Sequence, residues 1–333
     1  MNSGQERSLF LYIYKYLIFI IQFCGIFFNF IAIYFLKNDN KRTKKSYKTI
    51  LLIHCFMDIC LGIFHILGIY QIEIIGTVVF ITVDGPLQYI NIFIVHVLSF
   101  VITTFFSCSS VFCGCITIIY RYLIVVKSKI IKTTDIIKMF IPMLLLSGII
   151  SIQYIITFCS PNTKEYYIYK NLLDVNYWSS GKIYDDNFIT LIIPSFKEIT
   201  ALFKLLEISC YFIAAIIVIL FKILISKYLK NKKNSMSIST LKKEKQIQRT
   251  LIVQALLPII LFYIPNILLT FMIIFHIPFQ YYTIFITISI TYVPLVNPCI
   301  ILLMTSQYRT KIFQVLWINK KKIRPNTISF FFK

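Results

Sequence analysis

The chain has 333 residues, of which 58% are apolar and only 14% charged, and its mean hydropathy is +0.78. A water-soluble fold of this length would carry more charge, so the composition excludes a soluble globular protein and indicates a membrane protein. The net charge of +21 lies in short basic segments between apolar tracts, so we assign it to membrane lipids or an acidic partner and not to nucleic acid.

Seven apolar tracts are long enough to be transmembrane helices, since about 20 residues cross the hydrocarbon core of a bilayer. Lys204, Glu207 and Lys222 interrupt the fifth tract, but Lys222 can extend to the membrane interface. We therefore predict an all-α membrane protein, a seven-transmembrane helix bundle that forms one domain over residues 1–333. The predicted spans are 13–36, 50–72, 91–119, 137–159, 203–225, 250–275 and 282–305.

The distribution of basic residues predicts the orientation of the bundle. Most of the 34 Lys and Arg residues follow spans one, three, five and seven. The positive-inside rule then places the amino terminus outside and the carboxyl terminus inside. Residues 306–333 are predicted to form a cytoplasmic tail with a short amphipathic helix on the inner leaflet, because Tyr308, Ile312, Phe313 and Leu316 share one helical face.

Three polar residues are predicted to lie at a similar depth in the membrane. Asn29, Asp58 and Asn297 lie roughly 12, 15 and 18 Å from the nearest cytoplasmic basic residue at 1.5 Å per residue. Two interpretations stay open, a polar network joined by waters or a sodium ion, and an Asp58 that is buried alone in its protonated form. Apart from that sodium ion, the sequence indicates no cofactor and no metal.

Cysteine and proline residues are interpreted as structural. The nine cysteines lie in or at the edges of spans, so no disulfide scaffold is predicted, and Cys113 and Cys115 are interpreted as small packing residues. Four prolines in spans six and seven predict kinks, since each removes a backbone donor. They are Pro258, Pro265, Pro294 and Pro298.

Enzyme classes are not favoured by the sequence. An intramembrane aspartyl protease needs two membrane aspartates, and Asp58 alone lies in mid-span. A di-iron site needs more histidines than this chain has, so we interpret its four histidines as packing or interface residues. They are His54, His65, His96 and His276. We predict no enzymatic activity and no catalytic residues.

A Tyr-Arg-Tyr triplet, "YRY" at Tyr120–Tyr122, ends the third span. Together with seven spans, an outside amino terminus and the three mid-membrane polar residues, it resembles the G-protein-coupled receptors, in which an acidic-Arg-Tyr triplet ends that span. The segment "NPCII", Asn297–Ile301, resembles their Asn-Pro-x-x-Tyr motif, with Ile301 in place of the tyrosine.

Further motifs are similar to those of the nematode serpentine chemoreceptors, in particular the Srd-like members of the Str superfamily. The similarity covers about Tyr47 to Arg309 and rests on the order of four short motifs. They are "DGPLQY" (Asp84–Tyr89), "YRY", "MSISTLKKEKQIQRTLIVQALLP" (Met236–Pro258) and "PLVNPCIILLMTSQYR" (Pro294–Arg309).

This resemblance implies a chemosensory receptor in the plasma membrane or, more narrowly, in the ciliary membrane of sensory neurons. Its partners would be a small-molecule odorant or pheromone-like ligand and a heterotrimeric G protein. The implied G-protein contacts are Tyr120, Arg121, Tyr122, Lys245, Arg249 and Tyr308. Depth alone selects ligand-pocket candidates in the outer halves of spans three, five, six and seven: Asn91, His96, Glu207, Asn266, Thr270, Thr283 and Thr287.

Two alternatives stay open at this stage. Arg121 can be an anchor that extends to the membrane edge and has no further role. The chain can also be a transporter or channel with an ion path through Asp58.

Overall fold

The computed structural model describes residues 3–38, 45–75, 78–172, 190–194, 198–232, 237, 249–250, 252–253, 255–257, 259–274, 283–304 and 308–310. The helices are α1 (Ser3–Asn38), α2 (Lys45–Gly68), α3 (Phe93–Val125), α4 (Thr133–Thr157), α5 (Lys164–Lys170), α6 (Glu198–Asn231), α7 (Ile264–Ile274), α8 (Thr283–Thr291) and α9 (Val293–Met304). The strands are β1 (Tyr70–Ile75), β2 (Val78–Val83) and β3 (Thr190–Ile193).

The helices form the predicted membrane bundle. Within the described ranges, α1, α2, α3, α4 and α6 are long and apolar enough to cross a membrane, and shorter apolar helices cover Ala255–Phe271 and Val293–Met304. Each of these seven segments overlaps one of the predicted spans. Several helices extend beyond the predicted bounds, and α3 continues to Val125, so that Arg121 lies inside a helix. Lys245 and the predicted amphipathic helix beyond residue 310 lie outside the described residues.

A small sheet, which the sequence analysis did not anticipate, covers one end of the bundle. Strands β1 and β2 form an antiparallel hairpin in which Tyr70 pairs with Val83, and β3 pairs with the far edge of β2. The second span was predicted to reach residue 72, but α2 ends at Gly68. The segments "YQIEII" and "VVFITV" are rich in β-branched residues, which favour strands over helices.

A close approach between α2 and the hairpin explains a glycine in the "DGPLQY" motif. The N–H of Gly85 donates to the Gly68 carbonyl at 2.8 Å. A Cβ atom on Gly85 would lie only 2.2 Å from the carbonyl oxygen of Leu67. Any larger residue would therefore separate the base of the hairpin from α2. We call this end of the bundle the sheet end and the opposite end, where α3 finishes, the Arg121 end.

The seventh span is divided into α8 and α9 at Tyr292. The N–H of Leu295 donates to Tyr292 O at 3.1 Å, one residue short of the α-helical partner. The Thr291 carbonyl instead accepts a hydrogen bond from the Gln22 amide at 2.7 Å. The break is thus stabilised by a buried side chain of α1, which supplies the donor that the helix lacks.

The sixth span also departs from regular helix. A π-helical turn covers Ile259–Tyr263 directly before α7, whose second residue is Pro265. Proline has no N–H, so Pro265 cannot make the backbone hydrogen bond of a regular helix at this point. The Asn266 amide donates to Phe262 O at 2.8 Å and so satisfies a carbonyl of this irregular turn.

Candidate functional site

A cavity of about 120 Å³ lies at the sheet end of the bundle. Its walls come from α2, α3, α4, α6, the π-helical turn, α7 and α8, and strands of the sheet cover it. Aromatic rings form much of the wall, and Phe100 contacts both Tyr70 and Tyr154 edge to face, with ring centroids 5.2 and 5.3 Å apart. The Tyr70 hydroxyl is bonded to Ser99 Oγ at 2.6 Å, which connects β1 to α3. Such a largely apolar cavity is typical of a small-molecule site.

An ion pair lies in the wall of this cavity. Lys204 Nζ is 3.0 Å from Glu207 Oε2 and donates to the Tyr154 hydroxyl at 2.6 Å. That hydroxyl donates in turn to Glu207 Oε2 at 3.1 Å. Two of the three charges that interrupted the fifth predicted span therefore neutralise each other, which lowers the cost of placing them in a membrane helix.

The structure brings together three of the seven pocket candidates. Glu207, Asn266 and Thr287 line the cavity. The other four do not line it. The His96 ring is bonded to Ile90 O at 2.7 Å, and the Thr270 hydroxyl to Asn266 O at 2.8 Å.

The remaining two candidates are placed outside the cavity by position. Asn91 is exposed in the connection before α3. Thr283 is fully buried at the first turn of α8, one turn before the cavity-lining Thr287. Depth in the membrane predicts how far along its helix each residue lies. It does not predict whether the residue lies on the helix face that lines the cavity.

Asp58 lies in a buried polar network in the middle of the bundle. Ser110 Oγ donates to Asp58 Oδ1 at 2.6 Å, and Asn297 Nδ2 donates to Asp58 Oδ2 at 3.1 Å. The His54 ring is 3.1 Å from Asn297 Nδ2 and 3.9 Å from Asp58 Oδ2. Asp58 is 1% exposed and has partners on α3 and α9, so the interpretation of an aspartate buried alone is wrong.

Asn29 forms a separate contact, which corrects the predicted three-residue network. Its amide donates to the carbonyls of Gly25 and Pro294, both at 2.9 Å. Pro298 cannot donate to the Pro294 carbonyl, so Asn29 takes that role. The structure instead places His54 beside Asp58, although the sequence interpretation assigned this histidine to packing.

The Asp58 network contains three oxygen groups of types that occur in cation sites. They are the Asp58 carboxylate, Ser110 Oγ and Asn297 Oδ1, which is buried without a hydrogen-bond partner among the described residues. Carboxylate, hydroxyl and amide oxygens are the ligands that such cations prefer. A sodium ion at this site would be held by these three residues.

Cysteines contribute neither disulfides nor a metal site in the described part of the chain. All nine cysteines are free, and no group of three or more His, Cys, Asp or Glu residues with metal-binding geometry occurs among the described residues. Cys113 and Cys115 are buried in the core.

The Arg121 end carries the residues of the "YRY" triplet. Tyr120 stacks on Tyr47 with ring centroids 6.3 Å apart, and Tyr122 contacts Phe221 at 4.8 Å. Arg121 is half-buried between them. The two tyrosines therefore fix the end of α3 against α2 and α6 and position the arginine.

Two further predicted contact residues are described at this end. Tyr308 is buried and stacks on Phe35 of α1 at 5.7 Å. Arg249 is exposed. Arg121 is thus half-buried and Arg249 exposed, whereas Tyr120 and Tyr308 are packed inside the bundle.

Several cavity residues were missed by the sequence analysis. Lys204 and Tyr154 form the ion-pair cluster with Glu207, and His65 and Gln153 are further lining residues. The three-residue spacing between Lys204 and Glu207, which favours a pair on one helical face, was a usable signal for the cluster. The sequence carries no comparable signal for Tyr154, Gln153 or His65.

Comparisons with known proteins agree on this architecture. Residues 13–313 match a protein family described as "Serpentine type 7TM GPCR chemoreceptor Str". The fold is similar to the crystal structure of squid rhodopsin, with a TM-score of 0.66 and 15% sequence identity, covering 93% of this chain and 87% of that chain. None of the curated proteins matches the sequence.

Proposed function

We propose that this chain, which belongs to the Str family of serpentine seven-transmembrane chemoreceptors, binds a small-molecule ligand in the cavity beneath the sheet and activates a heterotrimeric G protein at the Arg121 end. The observation that carries the proposal is the cavity itself, enclosed by six helices and the sheet and containing a buried polar cluster. A cavity of this kind in a chemoreceptor family supports a ligand site at that end.

Helix α3 connects the proposed ligand site to the proposed G-protein site. Thr104 lines the cavity, and Arg121 follows 17 residues later, roughly 25 Å along the helix at 1.5 Å per residue. Between them, Ser110 joins α3 to the Asp58 network, which also includes Asn297 of α9. Ligand binding would shift the population between two arrangements of these helices, and the break at Tyr292 supplies a hinge.

The proposed G-protein contacts are the residues that the resemblance implied. Arg121 and Arg249 would contact the partner directly, because both are at least partly exposed. Tyr120, Tyr122 and Tyr308 would act after a rearrangement of their packing or by positioning their neighbours. Lys245 belongs to the same proposal, and a sodium ion held by Asp58, Ser110 and Asn297 would stabilise one of the two arrangements.

The proposal requires the sheet end outside and the Arg121 end in the cytoplasm, in the plasma membrane or the ciliary membrane of a sensory neuron. The sequence contains no N-x-Ser/Thr glycosylation acceptor, so single acceptors can be inserted at the amino terminus, near Ser180, near Ser237 and at the carboxyl end. Glycans at the first two sites alone are expected. A glycan at either of the last two would contradict this orientation.

An ion path through Asp58 is not part of the proposal. Both carboxylate oxygens of Asp58 accept hydrogen bonds inside the bundle, and the family is one of receptors. The experiment that separates the two functions measures ligand-driven nucleotide exchange on a heterotrimer against ligand-driven ion flux. Exchange that depends on Arg121 supports the receptor, and flux without exchange overturns it.

A further inference from the structure

Seven aromatic side chains form a continuous row on the outward face of α1. They lie three or four residues apart, so that each turn of the helix carries one ring. At about 100° per residue they fall within an arc of roughly 80°, and every position of α1 in that arc between residues 12 and 34 is aromatic. We call this row the aromatic stripe, and its members are Tyr12, Tyr16, Phe19, Phe23, Phe27, Phe30 and Tyr34.

The aromatic stripe faces away from the rest of the chain. Each of its seven side chains is between 46% and 63% exposed. The opposite face of α1 is buried against α2 and α9 through residues such as Ile18, Asn29 and Leu36. The stripe is therefore the part of α1 that lies farthest from the core of the bundle, and its outward surface is uncovered in the single chain.

Contact with lipid does not require aromatic rings at these positions. Among the described residues, the large exposed hydrophobic side chains of α4 are all isoleucine or leucine, and those of α6 are aliphatic except for Phe212. Lipid chains are as apolar as leucine, so an aliphatic face suits them equally well. The tyrosines at the two ends of the stripe match the aromatic belts of membrane interfaces. Such belts do not account for the four phenylalanines between them.

Aromatic rings gain from contact with other rings. Ring pairs in edge-to-face or offset geometry stabilise an interface beyond the burial of their area, and van der Waals packing drives helices together in lipid. Rings of the stripe already pair along α1, with centroids 4.7 Å apart for Tyr12 and Tyr16 and 6.5 Å apart for Phe19 and Phe23. A facing helix with rings at the same spacing would supply partners on the outward side.

The dimensions of the aromatic stripe fit a membrane interface. From Tyr12 to Tyr34 it extends roughly 33 Å at about 1.5 Å per residue, which matches a hydrocarbon core of about 30 Å. Seven half-exposed aromatic side chains of about 150–250 Å² each present roughly 600–950 Å² of surface. A standard protein interface buries about 800 Å² on each partner, so one stripe is large enough for a stable contact.

We propose that the aromatic stripe is a homodimer interface, which packs against the same stripe of a second copy of this chain. Copies in one membrane share one orientation, so two stripes meet in parallel about a two-fold axis along the membrane normal. Each ring then lies at the depth of its own counterpart, and a row with one ring per turn is complementary to itself. A second copy supplies rings over the whole length of the stripe, whereas a sterol spans one leaflet. The interface goes beyond the proposed function and does not depend on it.

The test measures the association of the full chain in phosphatidylcholine vesicles by single-molecule photobleaching at a series of protein-to-lipid ratios. Dimers are expected for the wild type. Phe23→Leu combined with Phe27→Leu keeps the face apolar but removes two ring pairs. Since one pair contributes about 2- to 12-fold, the double variant should associate at least about 5-fold more weakly. Phe212→Leu is the matched control, because that ring is 57% exposed on α6 and lies outside the stripe, and association should stay unchanged.

A photoreactive benzoylphenylalanine in place of Phe23 locates the contact while keeping an aromatic ring there. Irradiation in the same vesicles should produce covalent dimers, whereas the same group in place of Phe212 should react with lipid. Monomers at every ratio would overturn the interface, and so would a group at Phe23 that reacts only with lipid or with added cholesterol. Dimers that the double variant leaves unchanged, or that form covalently from Phe212 alone, would overturn it as well.

Discussion

The side-chain amide of Asn29 donates a hydrogen bond to the carbonyl oxygen of Pro294 at 2.9 Å. In a regular helix that carbonyl would accept from residue 298, but residue 298 is a proline and has no N–H. A residue of α1 thereby completes the backbone hydrogen bonding of α9. This hydrogen bond joins the first and seventh spans, because a side-chain donor takes the place of a missing backbone donor.

Asn29→Ala is expected to lower the free energy of unfolding by about 1 kcal/mol, because the Pro294 carbonyl loses a donor in a buried site. Pro298→Ala restores an N–H at the position from which a helix would satisfy that carbonyl. In the Pro298→Ala background, Asn29→Ala should therefore have a smaller effect. SDS-induced unfolding of the four variants in mixed micelles measures the coupling, and strictly additive effects would contradict this account.

Gly25 permits the close approach of α1 to α9. A Cβ atom at Gly25 would lie 3.2 Å from the backbone of Pro294 and Leu295, whereas a Cβ atom at Gly148 of α4 would meet nothing within 4 Å. Gly25→Ala is expected to destabilise the bundle by about 1–3 kcal/mol through overpacking against backbone that cannot move aside. Gly148→Ala is the matched control and should leave stability unchanged or slightly higher. Equal effects in an unfolding titration would show that this helix contact is not tight.

Two adjacent serines of α3 differ in hydrogen bonding and so provide a matched pair of variants. Ser110 donates to Asp58 at 2.6 Å, whereas Ser109 Oγ is buried without a hydrogen-bond partner among the described residues. Ser110→Ala should lower the free energy of unfolding by about 1–3 kcal/mol, since it leaves a buried carboxylate oxygen with one donor fewer. Ser109→Ala should be neutral or stabilising. If Ser109→Ala destabilised the chain more than Ser110→Ala in thermal unfolding, the hydrogen bond from Ser110 to Asp58 would not be the stabilising contact described here.

The Lys204–Glu207 pair predicts a non-additive pattern. Lys204→Met leaves the Glu207 carboxylate, 5% exposed, without its counter-ion and should destabilise the chain by about 3–5 kcal/mol. Glu207→Gln should have a smaller effect, because the Lys204 side chain is 22% exposed and its ammonium can reach polar surroundings. The double variant should recover most of the lost stability. Unfolding measurements in which the double variant is the least stable would contradict a neutralised pair.

Much of the fold could be predicted from the sequence, because long apolar tracts identify membrane helices. The physics is simple, since each span must satisfy its own backbone in lipid. The hairpin was missed because its first residues, Tyr70–Ile72, continue the apolar tract of span two, which was predicted to end at residue 72. The β-branched composition between Gly68 and Gly85 was the signal that distinguishes a buried hairpin.

The polar sites were only partly predictable for a different reason. Asp58 and Asn297 were expected at one depth, and they are bonded, because residues at one depth on neighbouring helices can meet. Asn29 lies at that depth too, but its amide donates to the Pro294 carbonyl. That hydrogen bond becomes possible only when α1 and α9 are packed together. Rotation about the helix axis decides such partners, and a single sequence contains little information about it.

Receptor function is tested by measuring ligand binding and nucleotide exchange on the same nanodisc preparation. A ligand found by screening small molecules should bind the wild-type chain and accelerate guanine-nucleotide exchange on a heterotrimeric G protein. In Arg121→Ala, we expect unchanged ligand binding in the cavity, roughly 25 Å away along α3, and a loss of most of the exchange. Exchange unaffected by Arg121→Ala, or an ion flux driven by the ligand without any exchange, would contradict it.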